Sequence, residues 1–189
     1  MAAPPTSLMD LLVKESLVRA ALSEASEAAL CGEVPAGAVI ATPDGTVVAR
    51  GRNQVIALSD PTAHAEILAI REASRLLGNY RLEGLVLAST LEPCAMCMSA
   101  ALHARLSAVV FGAPEPKWGA AGSLVDLNSV PGINHRLALL EGGILADDCA
   151  NLMKTFFRNR RKSAETAAAG IKAGDSPGPG NQDGNEADL

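Results

Sequence analysis

A chain of 189 residues, 48% of them hydrophobic, has the material for one domain with a buried core. No apolar run is long enough to span a bilayer, and Met1-Ala-Ala-Pro-Pro lacks the charged-then-apolar opening of a signal peptide. A cytoplasmic protein with no membrane partner is therefore expected.

The formal charge of −5 argues at first against a nucleic-acid partner. From Ser163 onward, however, Glu165, Asp175, Asp183, Glu186 and Asp188 face only Lys172, which leaves 15 basic and 16 acidic residues up to Lys162. A near-neutral body leaves room for a local phosphate-binding patch. Arg158, Arg160, Arg161 and Lys162 could form one, and they equally suit a helix C-terminus, where the dipole favours cations.

Taken in order, residues 1–6 read as a flexible start, 7–162 as the folded domain and 163–189 as a disordered acidic tail of Ala, Gly, Pro, Asn and Asp. Thr6-Ser7 offers a cap for a helix running to about Leu30, with Leu11, Val18, Leu22, Ala25 and Ala29 along one face. A hairpin follows, Ala36 to Ala41 and Thr46 to Arg50 around Pro43-Asp44-Gly45. Gly37 and Gly51 mark a close backbone approach, a bulge or a strand end.

Asp60-Pro61 predicts the start of a second helix, which carries Ile67, Leu68, Ile70, Ala73, Leu76 and Leu77 to a stop at Gly78-Asn79. Gly84 to Thr90 is a short apolar strand. The helix before it makes the connection a crossover, which suggests parallel pairing with the hairpin. A third helix is predicted from near Cys94 to near Arg105, and another strand from Ser107 to Gly112. A long Gly- and Pro-rich loop then runs to Gly132, with one helical turn around Leu124 to Leu127. His135 to Glu141 predicts a last strand, and Ile144 to Arg161 a final helix with Leu145, Cys149, Leu152 and Phe156 on one stripe. Helices alternating with short strands imply an α/β layered domain around one sheet of about five strands.

Four cysteines outside an oxidising compartment read as ligands or buried thiols before disulfides. Cys31 and Cys149 stand alone and read as core. Cys94 and Cys97 are paired by spacing, about 60° apart on a helix, and with His64 they make a three-ligand zinc set whose fourth position is open to water. His103 falls about 180° from Cys94 and faces away. Zinc on one neutral imidazole and two thiolates can lower its water to a pKa near ~7. Glu66, the carboxylate two residues beyond His64, is the candidate to take the water's proton and pass it to a leaving group. On an ideal helix it lies about 200° from His64, so spacing does not bring the two together.

The set His64-Ala-Glu66 with Pro93-Cys94-x-x-Cys97 is the signature of the zinc-dependent nucleobase deaminases. From about Ser7 to Arg161 the chain more narrowly resembles the bacterial tRNA-specific adenosine deaminases. The matching stretches are Glu33-Val-Pro-Ala-Gly-Ala-Val39, Asp60-Pro-Thr-Ala-His-Ala-Glu-Ile67, Asn79-Tyr-Arg-Leu82, Thr90-Leu-Glu-Pro-Cys-Ala-Met-Cys97, Val109-Val-Phe-Gly112, Gly119-Ala-Ala-Gly-Ser-Leu124, Asn134-His-Arg136 and Phe156-Phe-Arg158.

That resemblance implies a three-layer α/β/α cytidine-deaminase-like fold with a mixed sheet, a homodimer and one zinc per subunit. The implied reaction is hydrolytic conversion of the wobble adenosine of a tRNA anticodon to inosine with release of ammonia. A zinc-bound hydroxide would attack C6 of a base splayed out of its stack. Carried over, His64, Cys94 and Cys97 bind zinc, Glu66 shuttles the proton, and Asn53 with the N–H of Ala65 holds the base. Leu91, Lys117, Asn134, Phe156 and Arg158 join them as substrate contacts with the anticodon stem-loop. Apart from the resemblance, Phe156 reads as core, Arg158 as a helix-end cation, Asn134 as a turn residue and Lys117 as a solvated charge.

Pro114-Glu115-Pro116-Lys117-Trp118 departs from the family pattern with two stiffening prolines and a stacking surface, and Ala36 replaces a larger aliphatic residue. Two other readings share the motif. One is a guanine, cytosine or cytidine deaminase acting on a free base or nucleoside. The other is a non-catalytic zinc module, which requires a fourth protein ligand from His103 or His135.

Overall fold

The structure, a computed structural model, describes residues 9–174, with side chains to residue 166. Two compact units divide the chain, Met1–Phe156 and Phe157–Leu189. The first holds a five-stranded sheet, β1 (Gly37–Ala41), β2 (Val47–Arg52), β3 (Val86–Leu91), β4 (Ala108–Ala113) and β5 (Leu139–Glu141), in the order β2-β1-β3-β4-β5. Helices α1 (Leu11–Leu30), α2 (Ala65–Leu77) and α3 (Ala95–His103) lie in the first unit, and α4 (Ala146–Gly174) begins there.

Alternation along the strands separates two cores. Ala38, Ile40, Leu87, Val109 and Phe111 point to one face, where they pack with Ala65, Ala69, Ile70 and Ala73 of α2 and Met98, Ala101 and Leu102 of α3. Val39, Ala41, Val86, Ala88 and Val110 point to the other, against Leu17 and Val18 of α1, Ile144 just before α4 and Cys149 in its first turn. The expected three-layer α/β/α arrangement is therefore present, with both faces of the central strands dry.

Two glycines set how closely the layers approach. A methyl group added at Gly37 would strike the Ala21 carbonyl oxygen of α1, and one added at Gly51 the Ala65 carbonyl oxygen of α2. Both glycines thus mark a close backbone approach, one on each face. Gly51→Ala should cost about 3 kcal/mol through overpacking, read as a lower urea midpoint with an unchanged m-value.

Several sequence expectations shift. The Thr6-Ser7 cap lies outside the described residues, and α1 starts at Leu11 after Asp10. The buried stripe of α1 is Leu17, Val18, Ala21, Ala25 and Ala28, while Leu11 is exposed, because the small alanines let the helix settle onto Gly37. Leu76 and Leu77 at the end of α2 are also exposed. Cys31, expected in the core, is exposed as the residue capping α1, whereas Cys149 is buried as expected.

The crossover through α2 does not give parallel pairing with the hairpin. β1 lies between β2 and β3 and is antiparallel to both; the parallel ladders are β3–β4 and β4–β5. The helical turn of the long loop is a 3₁₀ turn at Leu127–Ser129, and β5 is confined to Leu139–Glu141. The final helix continues past Arg161 to Gly174, so residues 163–174, read as part of a disordered tail, are helical. Residues 175–189 lie outside the described residues.

Candidate active site

The sequence predicts that α2 begins at Asp60-Pro61, but Asp60 instead closes a tight turn. Its Oδ1 accepts hydrogen bonds from the backbone N–H of Thr62 at 2.8 Å and the Thr62 hydroxyl at 2.7 Å. The helix starts four residues later, with His64 as its N-cap in extended conformation, φ −71° and ψ 152°. Cys94 is likewise the extended N-cap of α3, φ −71° and ψ 174°. Both ligands thus precede their helices, and helical-wheel angles do not govern where they point. That is how Glu66, set at about 200° from His64 by wheel arithmetic, comes to share its site: it lies close enough to His64 and the Cys97 thiol for its charge to shift their pKa values and for theirs to shift its own.

His64 Nδ1 lies 3.7 Å from Cys94 Sγ and 3.6 Å from Cys97 Sγ, and the two sulfurs are 3.6 Å apart. A tetrahedral zinc with Zn–S of ~2.3 Å and Zn–N of ~2.05 Å requires S···S of about 3.8 Å and S···N of about 3.6 Å. The three donor atoms therefore fit a single zinc. Among the described residues they are the one His, Cys, Asp or Glu group arranged to hold a metal ion. His103 is exposed, and His135 Nε2 is hydrogen-bonded to the Leu106 carbonyl at 2.7 Å, so neither supplies a fourth ligand. This removes the basis for a closed structural site.

The donors' electrostatics agree with that fit. Hydrogen bonding from Cys97, then from His64, lowers the Cys94 thiol to about 4. Cys97 moves strongly upward, through its bond to Cys94, burial and the charge of Glu66. The pair thus retains one proton, which a divalent cation would expel to give two thiolates. His64 is raised, first by its bond to Cys94 and against its burial. Glu66 is buried, and burial pushes its pKa up, against its own backbone N–H and His64. A carboxyl raised in this way is suited to carrying a proton near neutral pH.

A second buried carboxylate, Glu92, organises the loop after β4. Its Oε2 accepts from Glu115 N at 3.0 Å, and its Oε1 from Ala121 N at 3.0 Å and Ser123 N at 2.9 Å. The same loop is stitched to the metal ligands by an isolated bridge between Cys94 and Gly119 and by Ala120 N bonding to Pro93 O. Burial alone would raise Glu92; the bonds from Ser123, Glu115 and Ala121 outweigh it and hold the carboxyl below its ordinary range. The stabilisation is complete above the unfolded value of ~4.3 and is lost as pH falls through the depressed folded one. Glu92→Gln, which turns a donor toward these N–H groups, should cost about 1–3 kcal/mol at pH 7. Acid-unfolding curves should show that deficit shrinking as pH falls below ~4.

Two of the proposed substrate contacts stand close in the chain to a ligand, Ala65 next to His64 and Leu91 on the strand that leads to Cys94. Asn53 is buried just past β2, Ala65 is the first residue of α2 with its N–H in the unsatisfied first turn, and Leu91 ends β3 three residues before Cys94. Lys117 is exposed on the loop that Glu92 holds. Asn134 sits elsewhere: its carbonyl accepts from Arg105 Nη1, and it lines a cavity of about 150 Å³ with Leu102 and His103 at the opposite end of α3. Phe156 is half-buried on α4, and Arg158 is exposed in the second unit. Glu33 and Glu92 lie outside the metal and catalytic motif, and neither is marked as functional by its spacing. Each carboxylate stands in an apolar, proline-bearing setting, Glu33-Val34-Pro35 and Leu91-Glu92-Pro93, which was the available sign of burial.

Comparison with known proteins places this geometry. Residues 12–113 match the cytidine and deoxycytidylate deaminase zinc-binding region. A tRNA-specific adenosine deaminase of Haemophilus influenzae is 41% identical over 159 residues, covering 84% of this chain and 91% of that one. A solved structure from work on A-to-I editing by tRNA:A34 deaminases at the wobble position of transfer RNA is 42% identical with a TM-score of 0.68, covering 72% of this chain and 97% of that one. A guanine deaminase of Bacillus subtilis, also 42% identical, superposes with a TM-score of 0.50 over 53% of this chain and 64% of its own. With its zinc-fitting triad, its buried glutamate and near full-length similarity, the chain belongs to the tRNA-specific adenosine deaminase family within the zinc-binding cytidine and deoxycytidylate deaminases.

Proposed function

We propose that the protein hydrolyses adenosine to inosine at the wobble position of a tRNA anticodon, with release of ammonia. The observation that carries this reading is a three-donor site with no fourth protein ligand among the described residues, beside a buried Glu66, in a chain related to tRNA-specific adenosine deaminases over most of its length. His64, Cys94 and Cys97 would hold zinc, which when bound supplies the Lewis acidity that makes water nucleophilic near neutral pH.

The chain's own residues do the rest. Glu66, whose affinity for a proton is raised by burial, accepts the proton of the attacking water and delivers it to the departing amine, so that water and adenosine become inosine and ammonia. Asn53 and the Ala65 N–H, both beside the start of α2, hold the flipped base. Leu91 and Lys117 border it, and Asn134, Phe156 and Arg158 serve the flanking nucleotides. Residues 7–162 act as the deaminase domain. We also infer a homodimer, supported by apolar side chains exposed in both loops that flank the ligands, Ile56, Leu58, Trp118 and Leu124, and a cytoplasmic location, supported by the relationship to tRNA-specific adenosine deaminases.

The test is product analysis with the zinc-loaded protein. An anticodon stem-loop RNA with adenosine at the wobble position should yield inosine, while guanine and cytidine remain unchanged. Xanthine or uridine without inosine would replace this reading with a free-base or nucleoside deaminase.

A further inference from the structure

Glu33 is 2% exposed, carries no assigned role and stands on the loop between α1 and β1. Its two oxygens have separate tasks. Oε1 accepts from Ile56 N and Ala57 N, both at 2.8 Å, and Oε2 accepts from Asn53 Nδ2 at 3.1 Å. A buried carboxylate that accepts only N–H donors is acceptor-only, so it decides the orientation of the amide facing it. With a carboxylate there, the NH₂ end of Asn53 must turn toward Glu33, and the carbonyl end is held on the other side.

Asn53 is placed to convert that orientation into recognition. It extends the β1–β2 ladder by one residue, its N–H bonding to Ala36 O at 3.0 Å, and the next residue, Gln54, bonds through its N–H to Ala63 O at 3.1 Å. Two residues before it, Gly51 faces the Ala65 carbonyl at the start of α2, and period-two alternation turns Asn53 to that same face. Asn53 Oδ1 has no protein partner among the described residues, yet no buried side-chain nitrogen or oxygen is left without one. That carbonyl therefore keeps access to solvent, and so to a bound base.

We propose that Glu33 is a positioning residue for base recognition: by binding one end of the Asn53 amide and the Ile56–Ala57 backbone at once, it fixes which hydrogen-bonding groups Asn53 presents to the substrate. This rests on the reading that Asn53 holds the base. Glu33 itself touches no reacting atom.

The experiment is a double-mutant cycle on the zinc-loaded protein with the anticodon stem-loop RNA. In Glu33→Gln the volume is kept, and an amide nitrogen can face Asn53, which answers by flipping and presenting the opposite end. Zinc content and Tm should stay near those of the parent, while kcat/KM falls about 10- to 100-fold. In an Asn53→Ala background the same substitution should change kcat/KM by less than about 2-fold, because the group it acts through is gone. The reversed pair Glu33→Gln with Asn53→Asp rebuilds the bond with donor and acceptor exchanged. Its Tm should recover from the deficit of Asn53→Asp alone, and its kcat/KM should not.

Equal losses in both backgrounds would overturn the proposal, since Glu33 would then act independently of Asn53; so would an unchanged Glu33→Gln. If Asn53→Ala alone leaves kcat/KM intact while inosine still forms, the base-holding reading of Asn53 fails, the deaminase assignment stands, and the proposal falls. Should Glu33→Gln not fold, Glu33→Asp, whose carboxylate withdraws by about one carbon–carbon bond, is run through the same cycle against the same expectations.

Discussion

Glu66→Gln is expected to keep one zinc per chain and lose about 10³-fold or more in the rate of inosine formation. Glutamine matches the size of glutamate but cannot carry the proton between water and the departing amine, and acid–base transfer of this kind contributes roughly 10²- to 10⁴-fold. The ligand set of His64, Cys94 and Cys97 is untouched, so zinc content should not change. Stability supplies a second reading. Burial raises the Glu66 pKa above its unfolded value, so the folded metal-free protein is penalised as pH rises from ~4.3 through the raised folded value. Metal-free Glu66→Gln escapes that penalty and should melt at or above the parent's Tm at pH 7. Loss of turnover together with loss of zinc would instead make Glu66 part of the metal's support.

Cys97→Ala is expected to abolish both zinc retention and turnover. Two donors remain, His64 and Cys94, too few to complete a site that the parent fills with three. Binding to the folded state alone stabilises by about 4 kcal/mol when zinc is present at about 1,000 times its Kd. The parent's Tm should therefore rise when zinc is added to metal-free protein, and that of Cys97→Ala should not. Inductively coupled plasma mass spectrometry after dialysis, with Tm measured with and without zinc, checks both expectations. A variant that held zinc as the parent does would remove Cys97 from the ligand set.

Much of this site was legible in the sequence because its chemistry depends on residue type. A His, two Cys and a nearby Glu are scarce among 189 residues with three His and four Cys, and their spacing left few alternatives. Their convergence was not legible. Helical arithmetic assumed that His64 and Cys94 lie inside helices, whereas both cap them in extended conformation, and the turn made by Asp60 and Thr62 delays α2 by four residues. Strand existence followed from apolar runs and turn residues. Strand order did not, since nothing local shows that β1 separates β2 from β3. The roles of Glu33 and Glu92 were hidden for a related reason: each depends on backbone N–H groups more than twenty residues away in sequence. The buried stripe of α1 departs from its apolar spacing because the contact with Gly37 favours small residues over Leu11.

Zinc-edge X-ray absorption on the loaded, substrate-free protein tests the central claim most directly. Two sulfur neighbours at ~2.3 Å, one imidazole nitrogen at ~2.0–2.1 Å and one further light-atom neighbour that belongs to no side chain are the expected shell. A shell of four protein ligands, or one lacking either sulfur, would contradict the account.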